Sequence, residues 1–494
     1  MIERYQNKKI TDIFSDEQKL KLWQETELSV IAAMEDLHLM PVGIHEEICD
    51  YLKTPIDIQW WKKRDEEIHH DLNAFLDERV RHLPAVYHQY FHKNITSYDT
   101  EEPAFAKTLT EAVNVIFPLI FDLEETLTRL AVKYRYTIMN GRTHGQEAEM
   151  QSFGARILTW LVELRLADDN FEHAAECLNY SKLSGAIGKY GSLDPRIEER
   201  ALDLMGFSPL YGATQIMPRI LYAPLAQNLC NLVIVIDKIG HDIRLASRSG
   251  RPLLQEPFKK KQKGSSAMPH KKNTIRTEQL EGMARMAKGY MLSLTDNIKT
   301  WEERAIEQSC VERVAWPDLF HVTAQALKVL NGVLSNLTVY PENMLKEIHE
   351  SRGVYASSEV KEFLKTKFSG NGLDYEDAYR IVQIACFNVF EPQDVQTAED
   401  NIQSKPSFQA AEDELERLAK TQKNKVISIQ HFIPMAQLRI SPALDIEQGK
   451  IDQYNLALNQ LFTKYEVVKE WKKLFSPEFL LKNENFLYKK ILDI

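Results

Sequence analysis

The sequence of 494 residues predicts an all-α protein of three helical domains, the central one a bundle of long helices. Glycine and proline, which interrupt helices, number only 19 each, fewer than average composition would give a chain of this length. Apolar residues recur at three- and four-residue spacing over five long stretches, as expected for helices with buried sides. These stretches are residues 108–134, 153–180, 222–249, 277–297 and 313–337.

The first hundred residues predict shorter helices and a first domain over residues 1–100. Between Lys19 and Leu39 the apolar residues follow helical spacing. Asp16 and Glu17 near the start suit the positive end of the helix dipole. The proline and glycine of residues 41–43 end this helix, and we expect short helices to continue to about residue 90.

The central segment, residues 101–345, predicts an elongated bundle. Each of its five helices spans roughly 30–40 Å at the helical rise of about 1.5 Å per residue. Helices of this length cannot bury their apolar sides within a small globule. Apolar residues on more than one side therefore indicate that partner chains cover part of the bundle. Three intervening loops carry unusual chemistry, residues 139–150, 189–195 and 254–274.

The third domain is expected over residues 346–494. Its predicted helices are shorter, around 375–389 and 410–418. The tail from residue 445 to the end is rich in lysine, leucine and aromatic residues and is also predicted to be helical. The sequence alone assigns this tail no role.

Composition excludes several classes of protein. A formal net charge of −10 and a pI near 5.9 argue against a dedicated nucleic-acid binder. No N-terminal apolar signal segment is present, and the longest apolar runs are far shorter than the roughly 20 residues that span a bilayer. We therefore expect a cytoplasmic protein with no membrane or nucleic-acid partner. The odd number and wide spacing of its cysteines fit a reducing compartment, at positions Cys49, Cys177, Cys230, Cys310 and Cys386.

The strongest chemical feature is the loop over residues 264–273. Gly264 is followed by the two hydroxyl residues Ser265 and Ser266, and lysines and an asparagine complete the loop. Such a loop can bind a carboxylate through backbone N–H groups while it presents a serine oxygen to a substrate. On composition alone a solvated basic loop is the better interpretation, and we keep it for the four lysines of residues 259–263.

Two histidine segments are further candidates. His144 lies between small residues and can titrate near neutral pH, as a general acid must, although an isolated histidine is more often a surface residue in a turn. His70 and Asp71 can form an oriented pair, although adjacent histidines on a helix are more often partly exposed. No ligand spacing typical of a metal site and no nucleotide-cofactor motif occurs, so we predict neither a metal nor a cofactor.

These segments and their order resemble the fumarase/aspartase superfamily, and within it the adenylosuccinate branch. Residues 264–273 match every fixed position of the superfamily signature GSSxMPxKxN, and the resemblance covers roughly residues 1–430. Planar arginine groups with a hydroxyl suit the phosphate of a purine nucleotide. The adenylosuccinate branch is indicated by the MPHK form of the signature, by Arg4 and Tyr5, and by Arg304, Ser309 and Arg313.

The resemblance implies β-elimination of fumarate from an N-succinyl purine nucleotide. The substrates would be adenylosuccinate, giving AMP, and the succinylated aminoimidazole carboxamide ribotide of purine biosynthesis. By family analogy Ser265 is the general base, with Ser266 as the other candidate, and His144 is the general acid. His70 would hold the substrate and tune His144, and Glu278 would orient one of the two histidines.

The resemblance also implies the substrate-binding groups and the assembly. Lys271 and Asn273 would stabilise the negative charge that develops on the substrate carboxylate. The family forms homotetramers whose active sites are built from three chains, so we expect a homotetrameric helical core with shared sites. The other substrate-binding residues that the resemblance implies are Arg4, Tyr5, Asp71, Thr96, Ser97, Thr143, Gln215, Arg219, Arg304, Ser309 and Arg313.

Three positions depart from the family pattern. Thr274 replaces the usual proline after the signature, Asn94 replaces a common glycine, and Gln279 replaces the usual asparagine. None removes a functional group, so they affect loop rigidity and substrate-binding detail. The alternatives are another superfamily lyase, such as argininosuccinate lyase or a carboxymuconate cycloisomerase, or a non-catalytic relative that uses the bundle structurally. Retention of Ser265, His144 and His70 argues against the last.

Overall fold

The computed structural model describes residues 1–370, 372–390, 433 and 438–494. The described chain is mainly α-helical, which confirms the predicted fold class. The predicted helix at 410–418 lies outside the described residues. The helices are α1 (Lys8–Ile13), α2 (Asp16–Asp36), α3 (Ile44–Tyr51), α4 (Ile58–Ile68), α5 (Asp71–Val80), α6 (Ser97–Lys133), α7 (Phe153–Ala175), α8 (Pro195–Met205), α9 (Ala223–Ala246), α10 (Ile275–Asp296), α11 (Glu307–Leu334), α12 (Pro341–Glu350), α13 (Ser357–Phe368), α14 (Tyr375–Phe390), α15 (Gln448–Leu461), α16 (Tyr465–Lys473), α17 (Pro477–Leu480) and α18 (Glu484–Leu492).

Short strands and single 3-10 turns lie between these helices. The first two strands pair antiparallel and the next two pair in parallel. The strands are β1 (Ile138–Thr143), β2 (Gln146–Ser152), β3 (Tyr180–Ser181), β4 (Ser208–Pro209), β5 (Leu254–Gln255) and β6 (Thr338–Val339). The 3-10 turns are Glu3–Tyr5, Ala85–Tyr87, Glu176–Asn179, Arg219–Leu221 and Val354–Ala356.

The five predicted long helices are confirmed as α6, α7, α9, α10 and α11. The α6 helix differs most, because it begins at Ser97 rather than near residue 108. Its start is fixed by Asp99, whose Oδ2 accepts a hydrogen bond from the backbone N–H of Thr96 at 2.8 Å. Asp99 is fully buried and also pairs with the Lys182 ammonium group at 2.7 Å. Sequence periodicity missed this start because Pro103, a helix breaker in most contexts, lies inside the helix.

The predicted loop at 139–150 is instead a β-hairpin of β1 and β2, so that interpretation is wrong. Its two-residue turn consists of His144 and Gly145, with positive φ angles of 53° and 78°. Positive φ at both turn residues matches the twist of the flanking strands. The strands escaped sequence analysis because their residues are mostly polar and partly exposed, without apolar alternation.

The described chain forms two compact units. The first comprises Met1–Leu127, Trp160–Arg248 and Leu254–Thr338, and the second comprises Thr128–Thr159, Ser249–Leu253 and Val339–Ile494. The division into three domains at residues 100 and 345 stays a prediction.

The centre of the first unit is the bundle of α9, α10 and α11, whose facing leucine, isoleucine and valine side chains are buried. Gly240 of α9 allows close approach, since a Cβ there would lie 3.0 Å from Leu280 of α10. Among the described residues, α6 and Arg219–Ala246 are long and apolar enough to cross a membrane by length and composition. In their most apolar stretches, shares of 39% and 44% are buried inside the fold, which also occurs in the core helices of a helical bundle.

The second unit has its own apolar core, to which the C-terminal tail contributes. The tail is helical as predicted, in α15 to α18. The Trp471 ring lies edge-on to Phe462 and Phe475 at centroid distances of 5.1 and 5.2 Å. The Tyr454 hydroxyl of α15 donates to Asp377 of α14 at 2.9 Å. The tail therefore has a structural role, which is to complete this core.

Candidate active site

One buried carboxylate connects the two ends of the loop over residues 257–274 through hydrogen bonds. Glu256, 7% exposed, directly precedes the loop. Its Oε1 accepts from the backbone N–H of Thr277 at 2.8 Å and from the Thr277 hydroxyl at 2.5 Å, and its Oε2 accepts from Arg276 N–H at 3.2 Å. These N–H groups belong to the first turn of α10, where a negative charge also favours the helix dipole. Glu256 thus joins the residue before the loop to the helix after it.

Within this loop, residues 264–273 close into a ring. A Cβ on Gly264 would lie 1.9 Å from the Lys271 carbonyl oxygen, so only glycine fits there. The Asn273 side chain donates from Nδ2 to the Gly264 carbonyl oxygen at 2.8 Å. Both contacts join the start of the ring to its end and fix the segment from Ser265 to Lys271 between them.

The ring distinguishes the two candidate serines. The Ser265 Oγ accepts hydrogen bonds from the backbone N–H groups of Met268 at 3.0 Å and Ala267 at 3.3 Å. Two N–H donors aimed at one oxygen stabilise negative charge on it. Ser266 is exposed, and within the described part of the chain its side chain receives no such hydrogen bonds. The ring geometry therefore favours Ser265 as the oxygen that can carry charge.

Two further predicted residues, Lys271 and Glu278, lie near the start of α10. The lysine at the end of the ring, Lys271, is exposed, as are the four lysines of residues 259–263. Glu278 lies in the first turn of α10, and its Oε1 accepts from the Thr274 hydroxyl at 3.2 Å.

A cavity of about 410 Å³ in the first unit brings together four predicted residues, Asp71, Arg219, Ser309 and Arg313. Its lining contains both aromatic and charged side chains. Sequence analysis missed several of the residues that line it, namely Lys19, Trp23, Trp61, Tyr98, Glu101, Glu102, Phe105 and Glu312.

Arg219 is the centre of a buried ion-pair network in the wall of this cavity. It is 4% exposed, and its guanidinium group donates to Glu102 at 2.5 Å, to Glu312 at 2.8 and 3.0 Å, and to the Met217 carbonyl oxygen at 2.8 Å. Burial raises the pKa of Glu102, against the opposing effect of Arg219. Four of the five guanidinium N–H groups are used in this way, so Arg219 primarily stabilises the cavity wall.

Arg304 contacts Tyr98 and is linked to two other predicted residues, Gln215 and Thr96. Its guanidinium carbon lies 4.1 Å from the centroid of the Tyr98 ring, and its Nη1 is 3.5 Å from the Gln215 side-chain oxygen. The Gln215 amide in turn donates to the Thr96 hydroxyl at 3.4 Å. Among the residues that the structure describes, the buried Arg304 Nε has no hydrogen-bond partner. Burial raises the pKa of Tyr98 to about 12. Ser97, half-buried, begins α6 next to this group.

Arg313 is held by Asp71, the first residue of α5. The Arg313 Nη2 is 2.9 Å from the Asp71 Oδ2. The preceding residue, His70, caps α5, because its Nδ1 accepts from the backbone N–H of Asn73 at 3.3 Å. The neutral His70 ring therefore carries its proton on Nε2. Ser309 is 6% exposed and its hydroxyl donates to the Ile306 carbonyl oxygen at 3.0 Å.

The remaining predicted residues lie elsewhere in the chain. Arg4 is exposed, and Tyr5 lines a second cavity of the first unit, of about 750 Å³. Thr143 and His144 belong to the second unit, where both are exposed at the hairpin turn. Arg142 fixes this hairpin through an ion pair with Glu347 of α12 at 2.9 Å. Among the described residues no group of three or more His, Cys, Asp or Glu side chains could hold a metal ion.

The residues of the cavity and of the loop's attachment that sequence analysis missed had little signal in the sequence. Tyr98, Glu101 and Glu102 directly follow the matched Thr96 and Ser97, so their proximity in sequence was visible. The sequence did not show that their side chains line the cavity, because this depends on where α6 begins. Glu256 lies outside the signature and had no signal at all.

Comparisons with known proteins agree with this fold. A family model described as Lyase matches residues 4–289. Among solved structures, a fumarate lyase from Mesorhizobium sp. BNC1 superimposes with a TM-score of 0.76 at 19% identity, covering 100% of this chain and 99% of that one. A 3-carboxy-cis,cis-muconate lactonizing enzyme from Pseudomonas putida gives 0.72 at 17% identity, covering 99% and 97%. The fold and the signature loop define the class, a lyase of the fumarase/aspartase type.

Relatives that are similar in sequence identify the family within this class. The chain is 36% identical over 383 residues to the adenylosuccinate lyase of Thermotoga maritima, covering 78% of this chain and 87% of that relative. It is 31% identical over 414 residues to the adenylosuccinate lyase of Bacillus subtilis, covering 82% and 94%. The chain therefore belongs to the adenylosuccinate lyase family.

Proposed function

We propose that this protein is a carbon–nitrogen lyase that releases fumarate from adenylosuccinate to give AMP. The same site acts on the succinylated aminoimidazole carboxamide ribotide of purine nucleotide biosynthesis. The observation that carries this proposal is the signature ring, in which the Ser265 Oγ receives two backbone N–H groups. Family membership and the phosphate-compatible cavity support it.

Ser265 acts as the base in the difficult step, removal of a proton from the carbon next to the distal carboxylate. A serine hydroxyl is a poor base, so it must react as an alkoxide, which the N–H groups of Ala267 and Met268 stabilise. Negative charge then develops on the substrate carboxylate. Lys271 and the second N–H of the Asn273 amide stabilise that charge, which is ordinarily the largest catalytic contribution.

The departing purine nitrogen needs a proton, which His144 supplies. Its exposure at a hairpin turn leaves both ring nitrogens accessible to a substrate. His70 presents its Nε2 proton to the substrate and tunes His144, and Glu278 orients one of the two histidines.

The nucleotide phosphate binds to Arg304, Ser309 and Arg313. The unpartnered Nε of Arg304 supports this assignment, because a buried N–H without an acceptor is costly unless a ligand supplies one. Asp71, Thr96, Ser97, Gln215 and the remaining N–H of Arg219 contact the rest of the nucleotide.

We further infer a homotetramer with shared active sites in the cytoplasm. Arg4 and Tyr5 lie away from the 410 Å³ cavity, which fits a site that a second chain completes. Large apolar side chains are exposed on the long helices, more than an isolated bundle would leave in water. They are 47% to 61% exposed and include Phe121, Leu166, Leu245, Met286, Leu292 and Val314.

The proposed reaction is tested by incubating the purified protein with adenylosuccinate and measuring fumarate and AMP by chromatography. We expect Ser265→Ala to abolish turnover while nucleotide binding persists, and the matched control Ser266→Ala to retain activity. Loss of activity in Ser266→Ala alone would transfer the role of base to Ser266. Turnover of argininosuccinate without turnover of adenylosuccinate would overturn the assignment.

Shared sites are tested by mixing inactive variants. Protein carrying His144→Gln and protein carrying Ser265→Ala are combined under conditions of subunit exchange. Some sites in the mixed oligomer would then hold both native groups, so activity should return. No recovery despite demonstrated exchange would show that each site is contained in one chain.

A further inference from the structure

Glu101 is a carboxyl group in the cavity that the proposed reaction does not use. It lies in the second turn of α6, is half-buried and lines the 410 Å³ cavity together with Arg313 and Ser309. Within residues 1–370, 372–390, 433 and 438–494 its side chain forms no hydrogen bond or ion pair. Unlike Asp71, Glu102 and Glu312, it is therefore a carboxyl group with no partner of its own.

The cavity offers Glu101 few cations that are not already paired. Arg313 pairs with Asp71, and Arg219 pairs with Glu102 and Glu312. Burial, reinforced by the negative charge of Asp71, raises the pKa of Glu101 to about 8, against the opposing effects of Arg313 and Arg304. The charged and titratable groups that face it are Asp71 from α5, Arg304 from the segment before α11, Arg313 from α11, and Tyr98 and Glu102 from α6. The other charged groups that line the same cavity are Asp16, Lys19, Asp65, Arg219 and Glu312.

We propose that Glu101 controls phosphate binding at Arg304 and Arg313 through its protonation state. This inference rests on the proposed function, because it takes these arginines as the phosphate-binding groups. A neutral Glu101 leaves both guanidinium groups to the phosphate and can itself donate an O–H hydrogen bond to a phosphate oxygen. An ionised Glu101 competes with the phosphate for the same arginines and repels it. Glu101 therefore favours phosphate binding only when Glu101 itself is protonated.

The consequence is a pH dependence of phosphate affinity. Above pH 7 a phosphate monoester is already mostly doubly charged, so its own ionisation changes little between pH 7 and pH 9. If bound phosphate raises the pKa of Glu101 by one unit, affinity falls about fivefold over that interval, since binding and protonation are linked. In the substrate reaction this weakening appears in KM rather than in kcat, because Glu101 contacts the phosphate and not the reacting carbon.

AMP, a phosphate monoester, is the probe, and its affinity for the full-length protein is measured by titration calorimetry at pH 7 and pH 9. We expect about fivefold weakening in the native protein and less than twofold in Glu101→Gln. The matched control is Glu125→Gln, an exposed glutamate on the same helix, which should weaken like the native protein. An unchanged pH dependence in Glu101→Gln, no pH dependence in the native protein, or no AMP binding at either pH would overturn the proposal.

A second measurement needs no variant. Calorimetry in buffers of different ionisation enthalpy gives the protons taken up on AMP binding, and the native protein should take up about half a proton at pH 8.5. No proton uptake would contradict the proposal even if Glu101→Gln failed to fold. AMP binding requires no turnover, so a protein that shows this pattern but releases no fumarate would refute the proposed function and leave this inference standing.

Discussion

Replacement of Arg219 by methionine tests whether the buried ion-pair network stabilises the cavity wall. Methionine keeps much of the apolar stem but leaves Glu102 and Glu312, 1% and 7% exposed, without their shared cation. Removing one partner from a buried ion pair ordinarily costs about 3–5 kcal/mol, because the remaining charge is left without compensation. We expect the free energy of unfolding at pH 7.5 to fall by about that amount.

This loss should depend on pH, and its sign follows from the carboxyl groups. In the native protein Arg219 opposes the effect of burial on the pKa of Glu102. Without Arg219, the pKa of Glu102 in the folded variant rises further above its unfolded value of about 4.3. The folded variant then binds a proton that the unfolded chain does not, so the variant gains stability as pH falls toward 5.5. The deficit relative to the native protein should therefore shrink on acidification.

Urea unfolding followed by circular dichroism at pH 7.5 and pH 5.5 measures both effects. The matched control is Arg285→Met, which removes an exposed arginine that pairs with Glu281 on the surface of α10. Exposed pairs contribute about 1 kcal/mol or less, so this control should be nearly neutral. Equal losses in both variants, or a deficit that grows at pH 5.5, would refute the role given to the network.

Three other substitutions have defined outcomes. Gly264→Ala places a Cβ against the Lys271 carbonyl oxygen and so displaces Ser265. We expect kcat to fall at least about 100-fold, with little change in the unfolding midpoint. Near-native turnover would contradict the ring geometry. Gly154→Ala places a Cβ 2.4 Å from the Ala131 carbonyl oxygen and should cost at least about 2 kcal/mol of stability, whereas Gly449→Ala, in open space, should cost nothing. Glu256→Gln should lower the free energy of unfolding by about 2 kcal/mol, because an amide cannot accept all three hydrogen bonds. Urea denaturation measures this change. An unchanged midpoint would show that Glu256 does not stabilise the attachment of the loop to α10.

The long helices could be predicted from the sequence because their apolar spacing persists over many turns. The start of α6 was missed: it depends on Asp99, which accepts a local hydrogen bond from Thr96 but also pairs with Lys182, a neighbour only in the fold. The hairpin around His144 was missed for a related reason. Its strands are partly exposed and polar, so the hydrophobic pattern that normally reveals a strand is absent.

In the site, too, local features could be predicted from the sequence and contacts between distant segments could not. The signature ring was recognisable because Ser265 to Asn273 are consecutive, and its residues are close in space for that reason alone. Arg219 was expected to bind substrate, and the structure uses most of its guanidinium group in contacts with Glu102 and Glu312. Such contacts between distant segments have no signature in one sequence, so neither the network nor Glu101 could be assigned in advance.

The carboxylate of Glu256 gives the signature loop an unusual tolerance of damage. A protease that cuts among the exposed lysines of residues 259–263 would sever the chain between Glu256 and Gly264. The upstream fragment would stay attached through the packing of α9 on α10 and α11 and through Glu256, and the ring from Gly264 to Asn273 would remain intact downstream of the cut. A nicked protein should therefore migrate as two pieces under denaturing conditions yet behave as a single folded molecule in solution.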